Sequence, residues 1–365
     1  MNNLYYVGMR ESDICNSSAF VGTITKYGTN CHNNIAYTKK RLSAFSNNPN
    51  YTKFMVEQIN KIIDSDSNAK FVFGNQLLPY KLGEKIFNKS LGVNSLALIN
   101  LFNDRFFVRQ FAKDYVPTPQ SYVMHKQDLN QETIDRLFAQ YNFLVLQEAG
   151  GSGGKTTYIC LKNQLQDLQN LNKDCYLVSG FVENNTPISV HLLLASNNVY
   201  VFQPSVQIIK HKSNYYGGDF AKVADLSDDI KHKIKQYSFI IGQKLLDLGY
   251  RGVFGINYVE SKGKLFFLEI NLRFMGSTFL LNKHLISQGL KTLQEYHIDA
   301  CLDHFIDLSS YDFDQIINLS NVIRFDNDPK LTQQGTEIIL DGYDSEMKTE
   351  SGAYLYTAIY NHSII

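Results

Sequence analysis

The sequence predicts an α/β domain followed by an α+β region of two lobes, and three observations carry that expectation. Short apolar runs alternate with helix-like stretches over the first hundred residues, which favours helices packed on a parallel sheet. From residue 143 onward the pattern changes to strand, glycine loop, strand. The 365 residues are too many for one small core and point to two or three domains.

The first strands are LYYVG near the start, AFVGTI at 19–24 and KFVFG at 70–74, with an amphipathic helix over Tyr51–Ile63 before the last. No GxGxxG follows the first strand, so dinucleotide binding is not expected there. LALINLFNDRFFVRQFAKDY has helical periodicity and stops before VPTPQSYV, whose two prolines impose an extended path and mark a domain boundary. Asn163–Asn170 is a helix candidate, DCYLVSGFVE a strand, and ISVHLLLASNNVYVFQPSVQII a hairpin turning at Ser-Asn-Asn. KHKSNYYGGDFAK, 210–222, reads as a mobile polar loop. A helix over Asp228–Leu248 precedes two strands, GVFGINYVE and KLFFLEINLRF, joined by Ser261-Lys262-Gly263, and the last thirty residues hold the strand signals EIIL and AYLYTAIY.

Lys plus Arg equals Asp plus Glu at 35 each, so no global field favours nucleic acid or an anionic membrane. Met1–Arg10 lacks a basic and then apolar leader, and no run of about 18 apolar residues occurs, so a cytoplasmic protein is expected. Five cysteines, Cys15, Cys31, Cys160, Cys175 and Cys301, are odd in number and lack metal-ligand spacing, and are read as reduced structural thiols.

FLVLQEAGGSGGKTTY, 143–158, comes within one residue of a P-loop, with Ala149 where the first glycine belongs. A P-loop runs into a helix, whereas the residues after Lys155 are TTYICL, rich in β-branched and aromatic types that favour a second strand. The glycines therefore read as a flap between antiparallel strands, with backbone N–H groups for phosphates. A plain glycine hairpin is the bland alternative. A helix starting at Lys155 would instead establish a P-loop NTPase or kinase.

In LFFLEINLRF, Glu269 and Asn271 leave the same face of a strand, and two oxygen donors at that spacing suit Mg²⁺. Arg273 lies two further on, where a guanidinium can meet a phosphate. Asn257 of GVFGINYV is placed to reach the same cation. The solvent side of an edge strand would show the same alternation.

Together NDRFFVRQFAKDYVPTP, the glycine flap, SGFVENNTPISVHLL, GVFGINYV and LEINLRFMGS resemble, in order and spacing, the ATP-grasp superfamily of carboxylate-amine and carboxylate-thiol ligases, over about Asn103–Leu281. The resemblance implies a pre-ATP-grasp α/β domain at 1–102, a small lobe with the flap at 103–180 and a large lobe with the metal site at 181–365. It implies adenine beside a hinge at Ser179, Gly180, Phe181 and Val182, and phosphates under Gly150, Gly151, Ser152, Gly153, Gly154 and Lys155. It implies two Mg²⁺, with Mn²⁺ an alternative, held by Asn257, Glu269 and Asn271. Arg105 matches the family's basic residue near the start of the nucleotide lobe, Arg273 the arginine that stabilises the transferring phosphoryl group, and Gly276 and Ser277 the place where substrate approaches. Gln147 stands where the family usually carries a lysine, and Asn257 where it usually carries Asp or Glu. Lys155 is a candidate for the missing cation, with a solvated surface lysine the alternative, and His191 is read as facing the nucleotide or as a packed histidine. Lys210, Lys212 and Tyr215 form either a lid or a solvated face.

The implied reaction is attack of a carboxylate on the γ-phosphate of ATP, then capture of the acyl phosphate by an amine, giving an amide of amino-acid or peptide-like partners. A catalytically weak ATP-binding module is the rival within the same fold. A carboxylase is disfavoured by the absence of a biotin-carrier segment. A homodimer is compatible with the sequence.

Overall fold

The computed structural model describes residues 3–15, 17–27, 34–37, 40–41, 49–151, 154, 156–162, 171–210, 213–325, 337–339, 348–349 and 354–365. The expected helix at Asn163–Asn170 lies outside them, as do Cys31, Ser152, Gly153, Lys155 and Lys212.

The alternating start builds a five-stranded parallel sheet in the order Asn34–Tyr37, Phe20–Tyr27, Asn3–Arg10, Ala69–Phe73, Ser90–Leu91. Its strands present apolar side chains to both faces, as a covered parallel sheet requires. Tyr5, Val7, Ile24 and Phe71 meet Met55, Ile59 and Ile62 of the helix Pro49–Ser65. The opposite face puts Tyr6, Phe20 and Val72 against Ile298, far along the chain. That contact fixes the sheet to the C-terminal part of the protein, and the backbone of Asn75, just past one of its strands, pairs with Arg273.

The predicted long helix from Leu96 is two helices, Leu96–Asn103 and Arg105–Ala112. Asp104 breaks it: its backbone is extended and its carboxylate accepts from the N–H groups of Phe106 and Phe107 at 2.8 and 3.3 Å, capping the second helix. The prolines beyond do not make a free linker, because Pro117 O accepts from Phe267 N at 2.8 Å, on the strand Lys264–Asn271 far along the chain.

A four-stranded antiparallel sheet comes next, ordered Ser121–His125, Cys175–Gly180, Phe143–Gln147, Thr157–Leu161. The helix Gln131–Phe138 covers one face through Ile134, Leu137 and Phe138. Thr157–Leu161 pairs with the strand before the glycines, so the flap joins two strands and the P-loop reading is excluded.

The largest layer is an eight-stranded antiparallel sheet: Lys264–Asn271, Gly252–Ser261, Thr186–Ala195, Asn198–Lys210, Asn214–Asp219, Ser320–Phe325, Tyr354–Tyr360, Glu337–Ile339. The hairpin turns at Ser196-Asn197 and Lys262-Gly263 fall where the sequence placed them, with Ser196, Lys262 and Gly263 at positive φ. One face packs Ile188, Val190, Leu192 and Leu194 on the helix Asp228–Asp247, and the other packs Leu193 and Val253 on the helices Thr278–Ser287 and Leu293–Cys301. Ile234 and Ile241 are fully buried, each worth about 2 kcal/mol relative to exposure. The expected mobile loop at 210–222 is corrected: Asn214–Asp219 is a strand, with a bulge beside Ile208/Ile209. Gly217, at φ +151°, permits it, since a Cβ there would stand 2.0 Å from Asn321 O. Among the described residues no disulfide forms, and no helix is long and apolar enough to cross a membrane.

His191 and His297 are the two most deeply buried histidines among the described residues. His191 Nε2 meets Thr278 Oγ1 at 2.9 Å, and His297 Nδ1 accepts from Val253 N at 2.8 Å while its Nε2 lies 2.6 Å from Gly92 O. Burial pushes their pKa values down to about 3 and about 4. In the unfolded chain both return to about 6.5. The unfolded state therefore takes up protons first on acidification, and stability present above pH 6.5 is lost as pH falls toward 4. Each group contributes a slope of about 1.4 kcal/mol per pH unit in that window. Urea midpoints should fall between pH 7 and pH 5, and His297→Gln should flatten the dependence; a midpoint constant over that range would contradict it.

Candidate active site

The strand Lys264–Asn271 is the edge of the large sheet beside the helix Arg105–Ala112. Alternation sends Glu269 and Asn271 to one face, joined by Asn257, which stands opposite Glu269 in register. Glu269 Oε1 accepts from Asn257 Nδ2 at 2.8 Å and from Asn271 Nδ2 at 3.4 Å, while Oε2 accepts from Arg105 Nε at 3.1 Å. Asn271 Oδ1 accepts from Arg273 Nη2 at 3.0 Å. The predicted metal and phosphoryl residues thus form one connected cluster.

Arg105 ties that cluster to the flap. Its Nη1 donates to Glu148 O at 3.0 Å and Thr156 Oγ1 at 2.9 Å, and its Nη2 donates to Gly151 O at 3.1 Å. Its backbone N–H donates to Ala149 O at 2.7 Å. At the far end of the flap, Ser213 Oγ donates to Gly154 O at 3.0 Å. Gly151 and Gly154 have positive φ, and a Cβ on either would stand 1.9 Å from Thr156 Oγ1 or Ser213 O respectively. Gly150 has open space instead. The flap is held down at both ends. Beneath it, Phe102, Arg105, Gly151, Glu269, Asn271 and Arg273 line a cavity of about 30 Å³, room for water but not for a triphosphate.

Charge at the site is dominated by arginine. Burial opposes the Glu269 carboxylate, but Arg105 and then Arg273 more than offset this, holding its pKa below the usual range. Arg109, one helical turn after Arg105, is 5% exposed and buried beside the same carboxylate. Desolvation pushes its pKa down to about 10, with Glu269 opposing. Its Nη2 donates to Leu268 O at 3.1 Å, while Nε and Nη1 are buried without partners. Three guanidiniums around one carboxylate leave a cationic surplus, and a polyanion is the ligand that relieves it. Arg109 and Thr156 were not singled out from the sequence; the i+4 spacing of Arg109 from Arg105 was the available signal.

The donor set suits a hard cation carried with phosphates. Glu269 supplies one carboxylate, and Asn257 and Asn271 supply amide oxygens now accepting from Gln207 Nε2 at 3.4 Å and from Arg273. Among the described residues no group of three or more His, Cys, Asp or Glu could hold a metal alone. Mg²⁺ ordinarily takes one or two carboxylates and completes its shell with phosphate oxygens and water, which matches this set.

Gln147 lies on the strand face away from the Leu144 and Leu146 core, its Nε2 3.2 Å from Thr157 Oγ1. Ser179 and Gly180 end a strand and lead, through Phe181 and Val182, into the large sheet. A Cβ on Gly180 would collide with the Tyr141 ring at 2.1 Å, so this strand end needs glycine. His191 is corrected to the packed alternative: it is fully buried against Thr278 and does not line the cavity. Lys210 Nζ stands 5.0 Å over the Tyr216 ring, while Lys155 and Lys212 are not described.

Residues 102–277 match the family model for the ATP-grasp domain. Among proteins of curated function, none matches this sequence. Solved structures do share its architecture. An N5-carboxyaminoimidazole ribonucleotide synthetase in complex with ADP is similar at 12% identity over 98% of this chain and 92% of that one, with a TM-score of 0.68. The biotin carboxylase domain dimer of Hydrogenobacter thermophilus 2-oxoglutarate carboxylase, solved with MgADP and bicarbonate, is similar at 14% identity over 98% and 86%, TM-score 0.67. The N5-carboxyaminoimidazole ribonucleotide synthetase of Thermotoga maritima is similar at 16% identity over 98% and 93%, TM-score 0.62. With the flap and the Glu269–Asn271 strand in this order, residues 102–277 of the protein are an ATP-grasp domain.

Proposed function

We propose that this protein is an ATP-dependent, ADP-forming ligase that activates a carboxylate as an acyl phosphate and transfers it to an amine. The observation that carries the reading is the single cluster of Arg105, Glu269, Asn271 and Arg273 beneath the glycine flap. Mg²⁺ bound by Glu269, with Asn257 and Asn271, would neutralise charge on the triphosphate. The carboxylate attacks the γ-phosphorus in line, the bond to the ADP oxygen breaks, and ADP leaves with its electron pair. Arg273 stands where it can stabilise charge on the transferring group, and Arg105 holds Glu269 and the flap in register. The lowered flap excludes water that would hydrolyse the acyl phosphate. The amine then attacks the acyl carbon and phosphate departs.

We assign the partners to amino-acid or peptide-like molecules. Bicarbonate is the second reading for the acid, because the structural neighbours include carboxyaminoimidazole ribonucleotide synthetases and a biotin carboxylase bound to bicarbonate. Incubation with MgATP and pooled amino acids, with and without bicarbonate, tests both. Equal amounts of ADP and phosphate with a new amide by mass spectrometry support the first. Turnover that needs bicarbonate supports the second. Tight MgATP binding without ADP release from either pool would favour a nucleotide-binding module instead.

A further inference from the structure

One buried charge in the nucleotide site has no part in the reaction proposed above. Arg109 follows Arg105 by one turn of the helix Arg105–Ala112, which packs beside the strand Lys264–Asn271. The adjacent Val108 and Ala112 share an apolar core with Ile270 and Leu272. The other two arginines of the site are engaged: Arg105 bonds Glu269 and the flap through its Nε, Nη1 and Nη2, and Arg273 bonds Asn271 Oδ1 and Phe274 O. Arg109 makes a single hydrogen bond, from Nη2 to Leu268 O, and its Nε and Nη1 are buried without a partner. Glu269 is the acid that acts on it, opposing the fall in pKa that burial causes. Yet the ion pair of that carboxylate goes to Arg105, and among the described residues Arg109 has none.

A buried guanidinium with no acid of its own weakens a fold, and a neutral side chain of similar volume is tolerated better. A neutral amide would serve Leu268 O as well, so that hydrogen bond does not account for the charge. Its location does. Glu269 is the one carboxylate of the proposed metal site, and the charges of Arg105, Arg109 and Arg273 all stand around it. A divalent cation that arrives alone meets net repulsion there, because the positive charge exceeds the negative. A nucleotide reverses the sign, since its phosphates satisfy the arginines and carry the cation in with them. Arg105 and Arg273 line the cavity beneath the flap, whereas Arg109 does not. Its effect therefore passes through Glu269 by charge, without contact with the nucleotide.

We propose that Arg109 is a positioning residue that makes metal binding conditional on nucleotide: its charge keeps a free divalent cation off Glu269 and admits one that arrives with phosphates. The inference rests on the ligase reading above and adds a control on the same site, the form in which the cation enters. The charge of Arg109 repels a cation and attracts an anion, so removing it must move their affinities in opposite directions. Loss of a merely structural contact would weaken both.

Binding measurements on the full chain test this, with Mn²⁺ alone followed by electron paramagnetic resonance and with ADP followed by calorimetry in chelator and in excess Mg²⁺. Arg109→Gln keeps a donor for Leu268 O and drops the charge; it should bind free Mn²⁺ about tenfold more tightly and metal-free ADP about threefold or more less tightly, with MgADP affinity changed less than either. Arg109→Lys keeps the charge and loses the planar fork, and should follow the wild type in all three. Free Mn²⁺ binding that is unchanged or weaker in Arg109→Gln would overturn the proposal, as would Arg109→Lys matching Arg109→Gln. Should the glutamine variant fail to unfold cooperatively in urea, the wild type still decides: free Mn²⁺ bound as tightly without ADP as with it would overturn the proposal. Failure of the wild-type chain to bind ADP in either form would instead sink the ligase reading beneath it.

Discussion

Glu269→Gln is expected to lower ATP turnover by about a thousandfold or more while the protein still unfolds cooperatively. Glutamine is nearly isosteric, so the strand Lys264–Asn271 and its register are kept. What disappears is the acid shared by Arg105, Arg109 and Arg273, which is also the one carboxylate of the proposed metal site. Nucleotide binding should respond in a way that a general loss of structure would not. Removing the negative charge leaves the arginines free to hold phosphates, so ADP without metal should bind as well or better than to the wild type. Mg²⁺ should no longer strengthen it. Titrations of ADP with and without Mg²⁺ check both halves, and a variant that keeps the wild-type metal dependence would remove Glu269 from the role assigned to it.

Arg105→Met should be the most destabilising single change in the nucleotide site. The Arg105 side chain is 8% exposed, and it pairs with Glu269 and also serves two flap carbonyls and the Thr156 hydroxyl. Removing one partner of a buried pair strands the other, a loss of about 3 kcal/mol. The flap should also loosen, because its root loses three hydrogen bonds together. Urea denaturation measures the first effect, and limited proteolysis within 149–156 measures the second. Wild-type stability with faster flap cleavage would mean that Arg105 acts on the flap alone.

Local signals in the sequence were enough for much of this site. The step of two between Glu269 and Asn271 placed them on one face because strand alternation is a backbone property. The β-branched and aromatic residues after Lys155 separated a flap from a P-loop for a similarly local reason. The break at Asp104 was missed because apolar periodicity continues across it, while the cap lies in one carboxylate and two N–H groups. The polar stretch 210–222 concealed the strand Asn214–Asp219, whose glycines are there for close approach to Asn321 and Ser277. Those partners come from distant parts of the chain, and no window of sequence contains them. Arg109 was hidden likewise, since its importance lies in what surrounds it.

A structure of the protein with Mg²⁺ and a non-hydrolysable ATP analogue measures the central claim directly. The triphosphate should lie between Gly150–Gly154 and the side chains of Glu269 and Asn271, with the metal on Glu269, the γ-phosphate within reach of Arg273, and the adenine against Ser179–Val182. A nucleotide bound elsewhere, or phosphates with no contact to Glu269 or the flap, would contradict it.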